Sequence, residues 1–127
     1  MNEYEKFISR ASGELKIAEL LISHSEHNAS VSRAYYAMFY AVQALMHKEN
    51  IKCSSHSGLI STFSKQFVKT GIFPGDVGRS LNDAYDLRQT SDYDVEIDIS
   101  RASAIEALEQ SKNFVNMILK YLGHETR

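Results

Sequence analysis

Cysteine, proline and glycine are scarce in this 127-residue chain, at one, one and six residues. The single cysteine, Cys53, excludes an intrachain disulfide framework and fits a reducing cytoplasm. With so few breakers, the sequence predicts long helices joined by short loops. No apolar run approaches the ~18 residues of a membrane span, so no membrane association is expected. The charged start MNEYEKF does not read as a signal peptide. A net charge of -2 gives no global basic signal, so contact with RNA or DNA has to come from a local patch. Gly-rich phosphate loops, GxSxG, HExxH and CxxC are all missing, and no cofactor is expected. His24 and His27 have metal-like spacing but no third ligand nearby in sequence, so no metal is expected either. Cys53 beside Lys52 has no specified catalytic partner and reads as a spectator thiol.

What remains is ordinary for one globular domain spanning residues 1–127: 43% hydrophobic and 24% charged residues. The rest of the chain is organised around residues 28–49, NASVSRAYYAMFYAVQALMHKE, which read as a single long helix. That segment is apolar almost all the way round, which marks a central helix with neighbours on most sides. At about 100° per residue, Val31, Ala34, Met38, Val42 and Leu45 share one side, with Tyr35, Phe39 and Met46 beside them. Ala34, Ala37, Ala41 and Ala44 form an edge that another helix could approach closely. Arg33, Tyr36, Tyr40 and His47 make a remaining stripe, each with a polar tip.

Four further helices flank it. Residues 3–24 carry Tyr4, Phe7, Ile8, Ala11, Leu15, Ala18 and Leu20 or Leu21 at helical spacing, with Glu3, Lys6, Arg10, Glu14 and Lys16 on the wet side. The run SHSEHN breaks this helix, and Asn28 or Ser30 can cap the central one. Ser54 or Ser55 can cap a third helix over residues 56–69, with Leu59, Ile60, Phe63 and Phe67 inward and Gly71 as its stop. After the FPG turn, residues 76–91 form a fourth helix with Leu81, Ala84, Tyr85 and Arg88 facing in. Asp92 continues that stripe if the helix reaches it. The acidic loop YDVEID follows, and DIS (residues 98–100) caps a fifth helix over residues 101–122, which Gly123 ends. Its core face holds Ala104, Ala107, Leu108, Ser111, Phe114, Val115, Ile118 and Tyr121 or Leu122, and HETR is expected to fray. The expected fold is all-α, an antiparallel up-and-down bundle of four to five helices.

Arginine and aspartate seldom face inward unless paired, so an i, i+4 Arg88–Asp92 pair on an apolar face calls for an explanation. Two readings stand. In the first, these groups staple helices: Arg33 answers an acid on another helix, and the Tyr36 and Tyr40 hydroxyls find polar partners at a bundle edge. In the second, Arg33, His56, Arg88 and Asp92 converge with the tyrosines in a cleft, arginine holding phosphate and Tyr or His stacking or moving protons.

The ordered set SRAYYAMFYAVQAL (residues 32–45), HSGLI (56–60), FVKTG (67–71) and LRQTSDYD (87–94) closely resembles the HEPN domain family. It is most similar to the compact prokaryotic branch whose members pair with a minimal nucleotidyltransferase encoded next door. The resemblance covers residues 28–94 and implies a homodimer whose facing helices form a polar cleft. Many such proteins are RNA-cleaving toxins or defence effectors neutralised by that partner; others bind nucleotides or substrates for it. The ribonuclease members carry an Arg and then, after four to six intervening residues, a His, and act without metal on the ribose 2′-hydroxyl and its phosphate. Here Arg88 matches the Arg, but residues 89–94 are QTSDYD, without His. Tyr93 stands where the shortest motif would place it, and His56 could substitute from another helix. In toxin members the partner modifies a Tyr just beyond the His with AMP, and Tyr93 is the nearest equivalent, out of register by two positions. The resemblance thus implies candidate catalytic residues Arg88, Asp92, Tyr93 and His56, with Arg33, Tyr36 and Tyr40 for binding. Two functions follow: a metal-independent ribonuclease of a toxin–antitoxin or nucleotidyltransferase module, or a non-catalytic nucleotide- or nucleic-acid-binding partner of the nucleotidyltransferase.

Overall fold

The computed structural model of the protein describes residues 1–53 and 55–124. Ser54, the alternative cap, and the end of the expected frayed tail lie outside the described residues. The architecture is an all-α bundle of five helices, with no strand among the described residues. In chain order they are α1 (Glu3–Ser23), α2 (His27–Lys48), α3 (His56–Phe63), α4 (Gly75–Tyr93) and α5 (Arg101–Tyr121). As its apolar circumference requires, α2 is central, packing against α1, α4 and α5.

Local chemistry sets the boundaries. Asn2 starts α1 by accepting from Glu5 N at 2.8 Å, within a reciprocal capping box with Glu5. A tight turn through Ser25, at φ 60°, reverses the chain into α2. Ser55 caps α3 by accepting from Gly58 N, and Ser100 caps α5 by accepting from Ser103 N, both at 3.0 Å. Gly71 (φ 85°) and Gly123 (φ 84°) take the left-handed backbone that stops a helix.

The third helical segment is not one continuous α-helix. Beyond Phe63 the chain widens into a π-helical turn, Ser64–Val68, in which Lys69 N donates to Ser64 O at 2.9 Å. The turn keeps Phe67 buried beside Phe63, their centroids 5.9 Å apart. Phe73 and Phe114 complete that aromatic cluster. The start of α4 crosses this turn at Gly78, where a β-carbon would come within 3.2 Å of Val68.

The alanine edge of α2 is fully covered. Ala34, Ala37, Ala41 and Ala44 are all buried, and two buried hydroxyls reach across to main-chain carbonyls of neighbouring helices. Ser30 Oγ donates to Ala18 O at 2.8 Å, tying α2 to α1, and Ser111 Oγ donates to Ala34 O at 2.6 Å, tying α5 to α2. Such bonds form only when backbones approach closely, and small residues permit that approach.

Two expectations are corrected. Glu14 is buried rather than on the wet side of α1, because it answers Arg33. Neither Asn28 nor Ser30 caps α2, whose cap residue is Glu26 without a side-chain bond. The Asn28 side chain instead clasps the loop before α5, donating to Ile97 O and accepting from Ile99 N, each at 2.9 Å. In α5, Leu119 joins the buried face and Tyr121 stays exposed.

Candidate functional site

Arg88 lies in the next-to-last turn of α4, which runs through Tyr93 and therefore carries Asp92 on the same face. The arginine is only 6% exposed. Three tyrosine rings enclose its guanidinium, with Cζ 5.3 Å from the Tyr35 centroid, 5.6 Å from Tyr36 and 5.3 Å from Tyr85. The faces of these rings offer a buried cation the negative lobes of their quadrupoles, which offset part of its desolvation. Among the described residues the one carboxylate in reach is distant: Arg88 Nη1 to Asp92 Oδ2 is 3.6 Å. Asp92 is held by Ser32, whose hydroxyl donates to Oδ1 at 2.6 Å. Arg88 Nε is buried and has no hydrogen-bond partner among the described residues. A buried donor of this kind calls for an explanation, in an ordered water or in a functional role.

His56, at the first position of α3, closes the cluster from the other side. Its ring stacks on Phe39 with centroids 4.3 Å apart and lies nearly parallel to Tyr85. Its Nδ1 is 2.7 Å from the Tyr35 hydroxyl. Burial raises the Tyr35 pKa well above that of an ordinary phenol, against the opposing pull of the Arg88 charge. The phenol therefore keeps its proton, and since no other acceptor for it lies in reach among the described residues, the bond is assigned with Tyr35 donating to Nδ1. For His56, burial first and the Arg88 charge second lower the pKa, which leaves the ring neutral at pH 7. With Nδ1 accepting, the hydrogen-bond network assigns the ring proton to Nε2, so the imidazole presents a donor there.

The remaining sequence candidates divide. Tyr36 belongs to the cluster, flanked by Arg88 and by Arg33, whose Cζ is 5.1 Å from its centroid. Arg33 itself is engaged by Glu14 at 3.0 Å and stands at the rim, its side chain 42% exposed. Tyr40 turns toward α1, with Arg10 Cζ 5.6 Å from its ring centroid and a long contact of 3.5 Å from Arg10 Nη1 to its hydroxyl. His47 leaves the line altogether and packs beside Tyr4 and Phe7 of α1. Tyr93 is 75% exposed. Arg88, Asp92, His56 and Tyr36 are thus brought together, Arg33 and Tyr40 adjoin them through Tyr36, and Tyr93 stands apart.

Tyr35 and Tyr85 were not among the sequence candidates, yet they supply two of the three cage walls and the bond to His56. Helical periodicity placed both among core positions, where an aromatic ring needs no further reason. The available signal was the combination of an inward Arg and inward hydroxyl-bearing rings, which must satisfy each other once buried. Chemically, the cluster holds two donors, Arg88 Nε and His56 Nε2, set among aromatic faces.

Comparison with known proteins gives a consistent picture. The family model for the HEPN domain matches residues 4–122. The chain is 38% identical over 120 residues to a Methanocaldococcus jannaschii protein named "Putative toxin", covering 94% of this chain and 82% of that one. It is 32% identical over 126 residues to a "UPF0332 protein" of Thermotoga maritima, with 96% of each chain covered. A "UPF0332 protein" of Gloeobacter violaceus is 34% identical over 122 residues, covering 95% of this chain and 97% of that one.

Proposed function

The chain belongs to the HEPN family, and from that premise we propose that it is the toxin-like member of a two-gene module that grips RNA phosphate at the Arg88 cluster. The observation that carries this reading is the unpartnered Arg88 Nε inside a cage of three tyrosines, beside a neutral His56. Arginine is the preferred residue for phosphate, and aromatic faces stack bases without regard to sequence. Arg88 would take a phosphate oxygen, His56 Nε2 would donate to a second, and Tyr36 and Phe39 at the half-buried edge would receive a base.

That edge also supports the proposal of a homodimer. Tyr36, Phe39, Tyr40 and His56 are only partly buried and adjoin one another, and a second copy docking there would cover the aromatic rings and turn the cluster into a cleft. The module's other member is proposed to be the minimal nucleotidyltransferase that the resemblance implies. Co-expression of that partner should relieve growth arrest caused by this chain.

A second reading, metal-independent cleavage, is supported by the depressed pKa of His56 close to Arg88. Proton uptake from a ribose 2′-hydroxyl requires a bare imidazole nitrogen, and Nδ1 is occupied by Tyr35. Cleavage therefore demands that Tyr35 release His56 when RNA binds. One experiment separates the readings: purified protein and folded Arg88→Ala, each tested for binding and for cleavage of labelled single-stranded RNA in EDTA. Binding lost in the variant, without cleavage by either, supports the phosphate grip alone. Cleavage by the unmodified protein, lost in the variant, supports the ribonuclease. No binding and no cleavage by the unmodified protein overturns both.

A further inference from the structure

Residues 50–75 contain three lysines, Lys52, Lys65 and Lys69, and no acidic residue, within a chain of net charge -2. Two of these lysines lie on a groove of about 430 Å³ between α3, the π-helical turn and α4. Its floor follows from helical spacing: Ser57 and Ser61 of α3 and Ser64 and Lys65 of the π turn recur along one polar stripe, beside the buried Ile60 and away from Leu59 and Phe63. The π turn carries that polar stripe on to Lys69. Among the described residues neither lysine has a carboxylate within ion-pairing distance, and Asp86 on the α4 side is the only acid on the groove wall. Tyr85 links the groove to the site, for it lines the groove and also walls the Arg88 guanidinium at 5.3 Å.

We infer that this groove is a second phosphate-binding subsite, in which Lys65 and Lys69 hold the backbone of single-stranded RNA as it leaves the Arg88 cluster past Tyr85. The inference rests on the RNA-binding reading above and extends it from one phosphate to a path. Charge and chemistry select the occupant. Two unanswered ammonium groups attract a polyanion, and three hydroxyls along the floor can donate to phosphate or ribose oxygens. Ile60 and Tyr85 give the groove an apolar side, and the serines and lysines along the rest of it suit a sugar–phosphate backbone. A stacking face at Tyr85 next to a positive track is how single strands are held without sequence readout.

The test is the salt dependence of binding of a fluorescent oligouridylate to the full chain, followed by anisotropy. Each phosphate contact on a single strand contributes about 0.7 to the slope of log K against log salt, so Lys65→Ala with Lys69→Ala should reduce it by about 1.4. Lys52→Ala, an exposed lysine outside the groove, should leave the slope unchanged. A double variant that keeps the full slope overturns the subsite while leaving the Arg88 reading in place. An equal reduction per lysine in Lys52→Ala shows bulk charge rather than a groove, and also overturns it. Absence of binding by the unmodified protein overturns the RNA reading and the subsite together.

Discussion

The Tyr35 hydroxyl and His56 Nδ1 meet at 2.7 Å, joining the middle of α2 to the first residue of α3. Both groups are neutral at pH 7, the phenol kept protonated by burial and the imidazole deprotonated by burial and the nearby Arg88. Tyr35→Phe keeps the ring against the guanidinium and removes only the donor. It should cost about 1 kcal/mol of unfolding free energy, read from urea titrations at pH 7.5. An unchanged midpoint would mean that the bond adds nothing to the fold.

Protonation of His56 should weaken the fold. Its folded pKa lies below the ordinary histidine value near 6.5, so the unfolded chain binds the proton more readily. This contribution to stability is complete above about pH 7 and declines as the pH falls through the unfolded value toward the folded one. His56→Gln removes the titration and should flatten that part of the stability profile. In Arg88→Met the neighbouring charge is gone, so the His56 ring signals followed by NMR should titrate at higher pH. A midpoint that stays put would show that burial alone sets it.

Loss of Arg88 should be expensive even without a ligand. Arg88→Ala empties a site bounded by three rings and removes three cation–π contacts, at a cost of about 2–4 kcal/mol. Arg88→Lys keeps the charge but not the flat guanidinium, and should fall between the two. Chemical denaturation of the three proteins gives the order directly. A cost for Arg88→Ala below about 1 kcal/mol would mean that the cage gives the arginine little support.

Glu14 and Arg33 tie α1 to α2 at 3.0 Å. Because Arg33 is partly solvated, a double-mutant cycle with Glu14→Gln and Arg33→Gln should return a modest coupling of about 0.5–1 kcal/mol. The single Glu14→Gln change should also loosen Arg33 over Tyr36, detectable as increased motion of the Tyr36 ring by NMR. Additive effects of the two substitutions would dissolve the pair.

Much of the frame can be read from local chemistry, because a helix end is decided by few residues. Ser55, Gly71, Ser100 and Gly123 punctuate the chain where expected, and the apolar circumference of α2 fixed its central place. The inward Arg88 and its Asp92 partner were likewise legible from spacing. Harder to read was anything decided by a partner far along the chain. Glu14 carries the polarity of a solvent-facing residue, and only the arrival of Arg33 brings it inside. Asn28 has the chemistry of a helix cap, but the loop that it clasps is some seventy residues away. Tyr35 and Tyr36 point about 100° apart on a wheel, yet both rings are large enough to reach one guanidinium. The π turn is equally hidden, since the residues SKQFV are compatible with an ordinary helix.

Every side chain of the Arg88 cluster, from Ser32 and Tyr35 to His56, Tyr85 and Asp92, precedes the loop that leads into α5. The last helix contributes apolar packing, the Ser111 bond to Ala34 and a long contact of 3.8 Å from Lys112 to Glu19 of α1. The molecule therefore divides its labour along the chain, with chemistry in the first three quarters and bracing in the remainder. The outward face of α5 is left with great freedom to vary: it could be recoloured with new charges to suit a different partner without disturbing a single atom that would touch a phosphate.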